Sequence, residues 1–175
     1  LMDLGATVCL PRNPDCAACP LSDLCQAHLS RRVDQFPVKQ PKKKVPHYIV
    51  TAAVIAGKDG TVLITQRPQD SMLGGMWEFP GGKQEPGESL EECLKREILE
   101  ELACKIEVRQ PVGTYNHAYT HFKVTLHAFH AELTSGIIEL LYHQDARWMA
   151  VSDLDEVPMG KIDRMISDQL QAREE

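Results

Sequence analysis

The sequence predicts an α+β domain that follows a short cysteine-rich module and a basic linker. Two observations predict the domain: HYIVTAAVIAG and TVLITQR are β-branched runs typical of strands, and GESLEECLKREILEEL has the apolar spacing of a helix. A third predicts the module, because four of the six cysteines lie in the first 25 residues. We therefore divide the chain into a cysteine module at 1–28, a linker at 29–46 and an α+β domain at 47–175.

The elements of the α+β domain follow from local sequence. GKDG between the first two β-branched runs is typical of a hairpin turn. Ser89 is a candidate N-cap, because Glu92 follows three residues later as in a capping box. HFKVTLHAFHAEL alternates as a strand does, ARWMAV predicts a further short strand, and PMGKIDRMISDQLQAR predicts a closing helix.

Composition restricts the class of protein. The chain is 43% hydrophobic, which supports a packed core. It has neither a bilayer-length apolar run nor a signal-peptide pattern, so we predict a cytoplasmic protein with no membrane partner. The net charge of −6 argues against nucleic-acid binding over the whole surface. The chain begins LMDLGATVCL, so we expect it to be part of a longer protein unless Met2 is its start.

The linker is basic and rich in proline. LSRRVDQFPVKQPKKKVP holds six Lys or Arg and three Pro against one Asp. This composition disfavours regular structure. Its charge suits either contact with DNA phosphates or a solvated connection.

Three glutamates are concentrated on the predicted helix. Residues three and four apart share a helix face, so Glu97 lies beside Glu100 and Glu101. At about 100° per residue, Glu97 and Glu101 border the apolar stripe that contains Leu90. Such a cluster is costly unless a cation neutralises it, and Arg96 is expected to project away from it. Mg²⁺ or Mn²⁺ would suit these oxygen ligands; a solvated acidic helix face is the alternative.

The spacing around this helix favours the metal site. Gly82 is followed after five residues by Glu88, and after seven more by REILEE. This pattern resembles the Nudix box, G-x5-E-x7-R-E-U-x-E-E-x-G-U, where U is a bulky aliphatic residue. The last two positions depart from it, because they hold Ala103 and Cys104. An alanine at a left-handed helix cap should cost about 1 kcal/mol. The resemblance implies the Nudix (MutT-like) fold, a mixed β-sheet between helices.

The Nudix resemblance also implies a chemistry. Nudix enzymes hydrolyse a nucleoside diphosphate linked to another group, usually a triphosphate to a monophosphate. Arg96 would orient the glutamates and Glu88 would support the site. The implied metal ligands are the Gly82 carbonyl, Glu97, Glu100 and Glu101.

A longer stretch, LITQRPQDSMLGGMWEFPGGK, resembles the MutT branch, which removes oxidised guanine nucleotides. It implies that Arg67 contacts substrate and that Lys83 lies near the phosphates, although Arg67 also fits a surface position at a strand end. Many MutT-like chains carry a possible general base in E-H-Q-x-x-R-W. Here Tyr142 replaces that Glu, and a phenol with a pKa of about 10 is a poor base. Glu139 is a nearby alternative. MutT also reads its base with an Asn, and PMGKID has none.

The cysteine module carries a C-x6-C-x2-C-x5-C pattern at Cys9, Cys16, Cys19 and Cys25. Four thiolates so close can surround one zinc ion or one iron–sulfur cluster, and free thiols are a further alternative. The spacing, with LMDLGATVC and CAACPLSDLC around it, resembles the 4Fe–4S loop that follows the glycosylase domain of endonuclease III and MutY repair enzymes. The resemblance implies a structural cluster that presents basic residues to DNA. Cys93 and Cys104 are predicted to be buried apolar residues.

A last stretch, HAYTHFKVTLHAF, resembles the H-x-F-S-H loop and following strand of the MutY C-terminal domain, which meets 8-oxoguanine. Tyr119, Thr120 and His121 occupy the Phe-Ser-His positions. The tyrosine could stack on a base and the threonine could bond its edge. The alternative is a plain turn between two strands.

Together these segments resemble the C-terminal part of a MutY-type adenine-DNA glycosylase with a nearly intact Nudix box, a MutY–MutT hybrid. The resemblance implies base-excision repair of 8-oxoguanine:adenine mispairs, an upstream glycosylase domain as partner, and a 4Fe–4S cluster. It implies hydrolysis of 8-oxo-dGTP-like nucleotides with Mg²⁺ (or Mn²⁺). The alternative is a non-catalytic domain that recognises 8-oxoguanine in DNA.

Overall fold

The computed structural model describes residues 1–38 and 45–173 of the chain. The Lys-rich part of the predicted linker, 39–44, lies outside the described residues. The chain divides into two compact units, Leu1–Lys44 and Val45–Glu175. Among the described residues, no helix is both long enough and apolar enough to span a membrane.

The first unit consists of short elements. It contains helix α1 (Met2–Thr7), helix α2 (Gln26–Leu29), and single 3₁₀ turns at Ser22–Leu24 and Val33–Gln35. No residue of 1–38 is fully buried, so the described part of this unit has no apolar core. Units of this size without such a core usually depend on a cross-link or a bound metal.

The second unit contains six strands and two helices in its described part. In chain order they are β1 (His47–Ile55), β2 (Thr61–Gln66), β3 (Trp77–Glu78), α3 (Leu90–Leu102), β4 (Lys105–Ala118), β5 (Lys123–Ser135), β6 (Asp145–Ala150) and α4 (Lys161–Gln171). The α+β prediction is confirmed. The sequence did not predict β3 or the long strand β4.

The strands form two three-stranded sheets. One has the order β1-β5-β4, with β1 parallel to β5 and β5 antiparallel to β4; the other has the order β3-β2-β6 and is antiparallel. The turn predicted at GKDG is present: Ala56 and Val62 form an antiparallel bridge, the Gly57 amide donates to the Thr61 carbonyl at 2.8 Å, and Lys58–Gly60 forms a 3₁₀ turn. The pairing does not extend into a two-stranded hairpin, because β1 and β2 belong to different sheets. The last five residues of β1 and the central four of β2 are buried, and the two strands pair with β5 and with β3 and β6, respectively.

The two long helices cover two separate apolar clusters. Helix α3 contributes Leu94, Ile98 and Leu102 to one cluster, and α4 contributes Ile162 and Ile166 to the other. Burying these side chains fixes the rotation of each helix about its axis. The polar edge of α3 is thereby held beside the loop that precedes the helix.

Both ends of α3 follow from local sequence. The capping box is confirmed, because the Glu92 amide donates to Ser89 Oγ (3.2 Å) and the Ser89 amide donates to Glu92 Oε2 (2.8 Å). At the other end Ala103 has φ 53° and ψ 19°, the left-handed conformation that the departing box position predicts. Its amide still donates to the Leu99 carbonyl at 3.1 Å.

Replacing Ala103 with glycine should stabilise the second unit. A glycine has no Cβ to strain the left-handed cap, so the free energy of unfolding should rise by about 1 kcal/mol. The measurement is urea unfolding of the full chain followed by tryptophan fluorescence, which reports on this unit because Trp77 and Trp148, the two tryptophans, both lie in it. Ala172→Gly is the control, since Ala172 ends α4 with φ −65°. Equal destabilisation by both substitutions would contradict the prediction.

Candidate functional site

The three glutamates predicted from the sequence occupy different environments at the end of α3. We call Glu97, Glu100 and Glu101 the glutamate cluster. The side chains of Glu97 and Glu101 are 14% and 15% exposed, whereas that of Glu100 is 60% exposed. The cluster therefore borders the core, as the helical spacing predicted, and is not a uniformly solvated face.

The expectation that Arg96 projects away from these carboxylates is wrong. Its Nη1 donates to Glu97 Oε1 (2.9 Å) and Glu100 Oε2 (3.2 Å), and its Nη2 donates to Glu88 Oε1 (2.7 Å). The arginine side chain is long enough to bend back over its own helix. The direction of its Cα–Cβ bond therefore does not predict where the guanidinium lies. Hydrogen bonds from Arg96 and from the Glu85 amide lower the pKa of Glu88 to about 2.

Glu101 lies outside this arginine network. Burial, and then the charges of Glu78 and Glu97, raise its pKa to about 8. Its Oε2 is buried and has no hydrogen-bond partner among the described residues. A buried carboxylate oxygen without a partner is costly, and a divalent cation is one group that would satisfy it.

Gly82 permits a close approach between the loop and the glutamate cluster. A Cβ at this position would lie 2.2 Å from the Glu97 carboxyl carbon, so any larger residue would displace that side chain. The Gly82 carbonyl accepts the Thr51 amide at 2.8 Å, which ties the loop to β1. The unpartnered Oε2 of Glu101 and the close approach of Gly82 to Glu97 fit a metal-binding site. Among the described residues, however, no three His, Cys, Asp or Glu side chains already converge on one ion position.

Arg67 and Lys83, the basic residues predicted to contact the substrate and its phosphates, each contact another side chain. Arg67 forms a salt bridge with Glu78 and donates from Nε to the Met72 carbonyl at 2.6 Å. Lys83 is exposed, and its Nζ lies 3.8 Å from the centre of the Tyr48 ring, a cation–π contact.

The predicted lesion loop is the turn between β4 and β5. Tyr119 is partly buried, with its ring stacked 4.7 Å from that of Phe122 and edge-on to that of His117 at 4.6 Å. Thr120 and His121 are exposed. The Tyr119 ring thus packs at the edge of the core, whereas the side chains of Thr120 and His121 are exposed to solvent.

Three residues that the sequence analysis did not single out join the site. Glu78 is on β3, His143 precedes β6 and Asp163 lies in the first turn of α4. His143 Nε2 is 3.3 Å from Glu78 Oε1 and 3.8 Å from Glu101 Oε2. WEFPGG, YHQ and PMGKID contain these residues, but nothing in their spacing links them to one another or to the box.

Asp163 lies in the PMGKID segment, which contains no Asn to match the one that reads the base in MutT. Its Oδ1 accepts the Phe79 amide at 3.1 Å. Burial, and then the charge of Glu78, raise its pKa to about 7, and the charges of Arg67 and Tyr119 also interact with it. Asp163 is therefore close enough to Arg67 and Tyr119 for their charges to affect one another.

Tyr142, at the position of the family's general base, and Glu139, the alternative base, are both exposed. Tyr142 is 48% exposed, and its ring meets that of His143 edge-on at 5.3 Å. Glu139 is exposed, and its backbone amide donates to the Leu102 carbonyl at 3.0 Å. The buried groups beside the glutamate cluster are Glu78 and His143 instead.

The four cysteines of the first unit surround one cavity of about 270 Å³, which we call the cysteine site. All four are free thiols, and apolar side chains such as Val33 and Phe36 complete the cavity wall. Partial burial and then the charges of the other three cysteines raise the pKa of Cys16. An apolar cavity lined by four thiols fits an iron–sulfur cluster. Cys93 and Cys104 are fully buried, as predicted.

Comparison with known proteins agrees with both halves of this description. Residues 51–169 match the model of the NUDIX domain, and residues 9–25 match that of the iron–sulfur binding domain of endonuclease III. The chain therefore belongs to the Nudix family, a family of pyrophosphohydrolases. The combination confirms the MutY-type arrangement predicted from the sequence, in which an iron–sulfur motif is followed by a MutT-like domain.

Individual relatives are of two kinds. The CTP pyrophosphohydrolase of Escherichia coli (strain K12) is 34% identical over 66% of this chain and 85% of the relative, and the 8-oxo-dGTP diphosphatase of Proteus vulgaris is 40% identical over 46% and 71%. The adenine DNA glycosylase of Arabidopsis thaliana is 30% identical over 87% of this chain, which spans only 29% of that enzyme. The solution structure of the E. coli ORF135 protein superposes with a TM-score of 0.64 at 31% identity, over 76% of this chain and 94% of that one.

Asp163→Asn should make the second unit more stable at neutral and higher pH. The pKa of Asp163 rises on folding from 3.8 to about 7, so the folded state favours the protonated form and loses stability as pH rises through this window. The asparagine side chain does not ionise, so the variant avoids this loss of unfolding free energy, which reaches about 4 kcal/mol at pH 8. The difference in unfolding free energy between the two proteins should vanish near pH 4. Urea unfolding by tryptophan fluorescence across this range is the measurement, with Asp168→Asn on the exposed face of α4 as control. A pH-independent difference would contradict the assignment.

Cys16→Ser should abolish the bound cluster. Removing one of four thiolates leaves an iron site open, so the purified chain should lose iron, sulfide and the brown charge-transfer absorption. Cys104→Ser changes a buried cysteine outside the motif and should leave all three unchanged. Zinc without sulfide in the unsubstituted protein would overturn the iron–sulfur assignment.

Proposed function

We propose that the second unit hydrolyses 8-oxo-dGTP or a related oxidised guanine nucleotide to the monophosphate and pyrophosphate, with Mg²⁺. We further propose that the natural protein acts in base-excision repair of 8-oxoguanine:adenine mispairs through an upstream glycosylase domain. The observation that carries the hydrolase proposal is the glutamate cluster, since Glu101 keeps a buried, unpartnered carboxylate oxygen and Glu97 lies against Gly82.

Carboxylate and backbone carbonyl oxygens of this chain would bind the metal ion. Glu97, Glu100 and Glu101 would hold the ion, with the Gly82 carbonyl as a further ligand. Mg²⁺, when bound, clamps the pyrophosphate and activates water. Arg96 fixes the rotamers of Glu97 and Glu100 and is itself held by Glu88.

The carboxyl group of Asp163 supports recognition of the base. One carboxyl oxygen of Asp163 is held by the Phe79 amide, which leaves the other to bond a nucleobase edge. Tyr119 supplies an aromatic surface beside it, and Arg67 supplies a cation that also reaches Glu78. The relatives named as a CTP pyrophosphohydrolase and an 8-oxo-dGTP diphosphatase make cytosine and oxidised guanine the two bases to compare.

A second candidate function is recognition of 8-oxoguanine in DNA without hydrolysis. The exposed Thr120 and His121 favour it, because both polar side chains point outward from a turn held by the Tyr119 stack. Tyr142 at the position of a general base also favours it.

The deciding measurement is turnover of 8-oxo-dGTP, dGTP and CTP with Mg²⁺. Selective turnover of 8-oxo-dGTP is expected. Glu100→Gln should reduce it by at least about 100-fold, because a metal ligand is lost, while binding to DNA that contains 8-oxoguanine should be unchanged.

Two matched variants complete the test. Glu91→Gln removes an exposed glutamate from the first turn of the same helix and should keep full activity. Thr120→Ala should weaken discrimination of lesion DNA and spare turnover. If Glu100→Gln turns over like the unsubstituted chain, the metal assignment is wrong; if a folded chain binds lesion DNA without any turnover, recognition is the function.

A further inference from the structure

His143 is buried between two carboxylates that come from different parts of the fold. Its side chain is 1% exposed, and its Nε2 faces Glu78 Oε1 at 3.3 Å and Glu101 Oε2 at 3.8 Å. The other ring nitrogen, Nδ1, is buried and has no hydrogen-bond partner among the described residues. A buried ring nitrogen without a partner is uncommon in proteins, so the surroundings of this histidine call for an explanation.

The surroundings assign the proton of this ring. A nitrogen lone pair directed at Glu78 Oε1, whose carboxylate pairs with Arg67, would be repelled by it, so Nε2 carries the hydrogen and donates it. Glu78 accepts this hydrogen bond, and its other oxygen accepts the Arg67 guanidinium. Both oxygens of Glu78 are therefore engaged, which makes it an anchor for the ring and not a free ligand.

Glu101 has the opposite status. Its Oε2 lies beyond hydrogen-bond distance from His143, yet it faces the same N–H and has no partner of its own. When a bound cation keeps Glu101 ionised, the N–H of His143 attracts this carboxylate into one orientation without forming a hydrogen bond to it. Groups that hold metal ligands from behind in this way commonly set the affinity of the ion.

We propose that His143 is a positioning residue in the site of the divalent cation. Arg67 holds Glu78, Glu78 holds the His143 ring, and the ring holds Glu101 in the rotamer that binds the cation. The proposal rests on the metal site of the proposed function, but not on which nucleotide is hydrolysed. It assigns a role to a residue outside the Nudix box, contributed by the segment before β6.

The test is Mn²⁺ affinity of the full chain, measured from the paramagnetic resonance signal of free Mn²⁺ without nucleotide. His143→Gln places an amide N–H near the position of Nε2 and should bind Mn²⁺ within about threefold of the unsubstituted protein. His143→Asn, one methylene shorter, cannot reach the carboxylates and should bind about 10- to 100-fold more weakly. His143→Leu should match His143→Asn. Tryptophan-monitored urea unfolding without metal shows that each variant is folded.

The possible outcomes separate this proposal from the proposed function. Equal Mn²⁺ affinity in folded His143→Asn and the unsubstituted protein would overturn the positioning role, and so would absence of Mn²⁺ binding in the unsubstituted protein. Weaker binding in His143→Asn with rescue in His143→Gln would support it. The same result in a chain that turns over no nucleotide would uphold the positioning role and reject the hydrolase.

Discussion

A carboxylate held at the edge of an apolar core constrains the whole second unit. Glu101 follows the buried Ile98 and precedes the buried Leu102 on α3, so it cannot turn into solvent unless the helix leaves the sheet. The energy gained by burying the apolar face of α3 keeps this carboxyl group out of water and thereby raises its pKa. Neighbouring segments add to this environment, because the charge of Glu78 raises the pKa further and the N–H of His143 faces Glu101 Oε2 at 3.8 Å.

The charges on α3 are consequently divided into two groups. One group is joined by Arg96, which contacts the mostly buried Glu88 and Glu97 and the exposed Glu100. The other group surrounds Glu101 without a contact to Arg96, and in this partly buried position a missing partner is costly. A cation that entered between the two groups would meet oxygens of both kinds.

The two units obtain their stability in different ways. The second has apolar clusters on either side of its strands, covered by α3 and α4. The described part of the first has no buried residue and instead surrounds a cavity lined by four thiols. Burial of apolar surface therefore organises one unit, whereas ligand bonds to a cluster would organise the other.

The sequence by itself determined the features that depend on neighbours along the chain. The capping box at Ser89, the left-handed cap at Ala103 and the spacing of the glutamate cluster are set by contacts within a few residues, so they could be predicted. The tertiary structure alone decided the strand pairing beside GKDG and the meeting of Glu78, His143 and Asp163. These three come from β3, from the segment before β6 and from α4, and no periodicity relates their positions. Only the packing of the sheets and helices fixes the distances between them, because burial acts on surfaces that are remote in sequence.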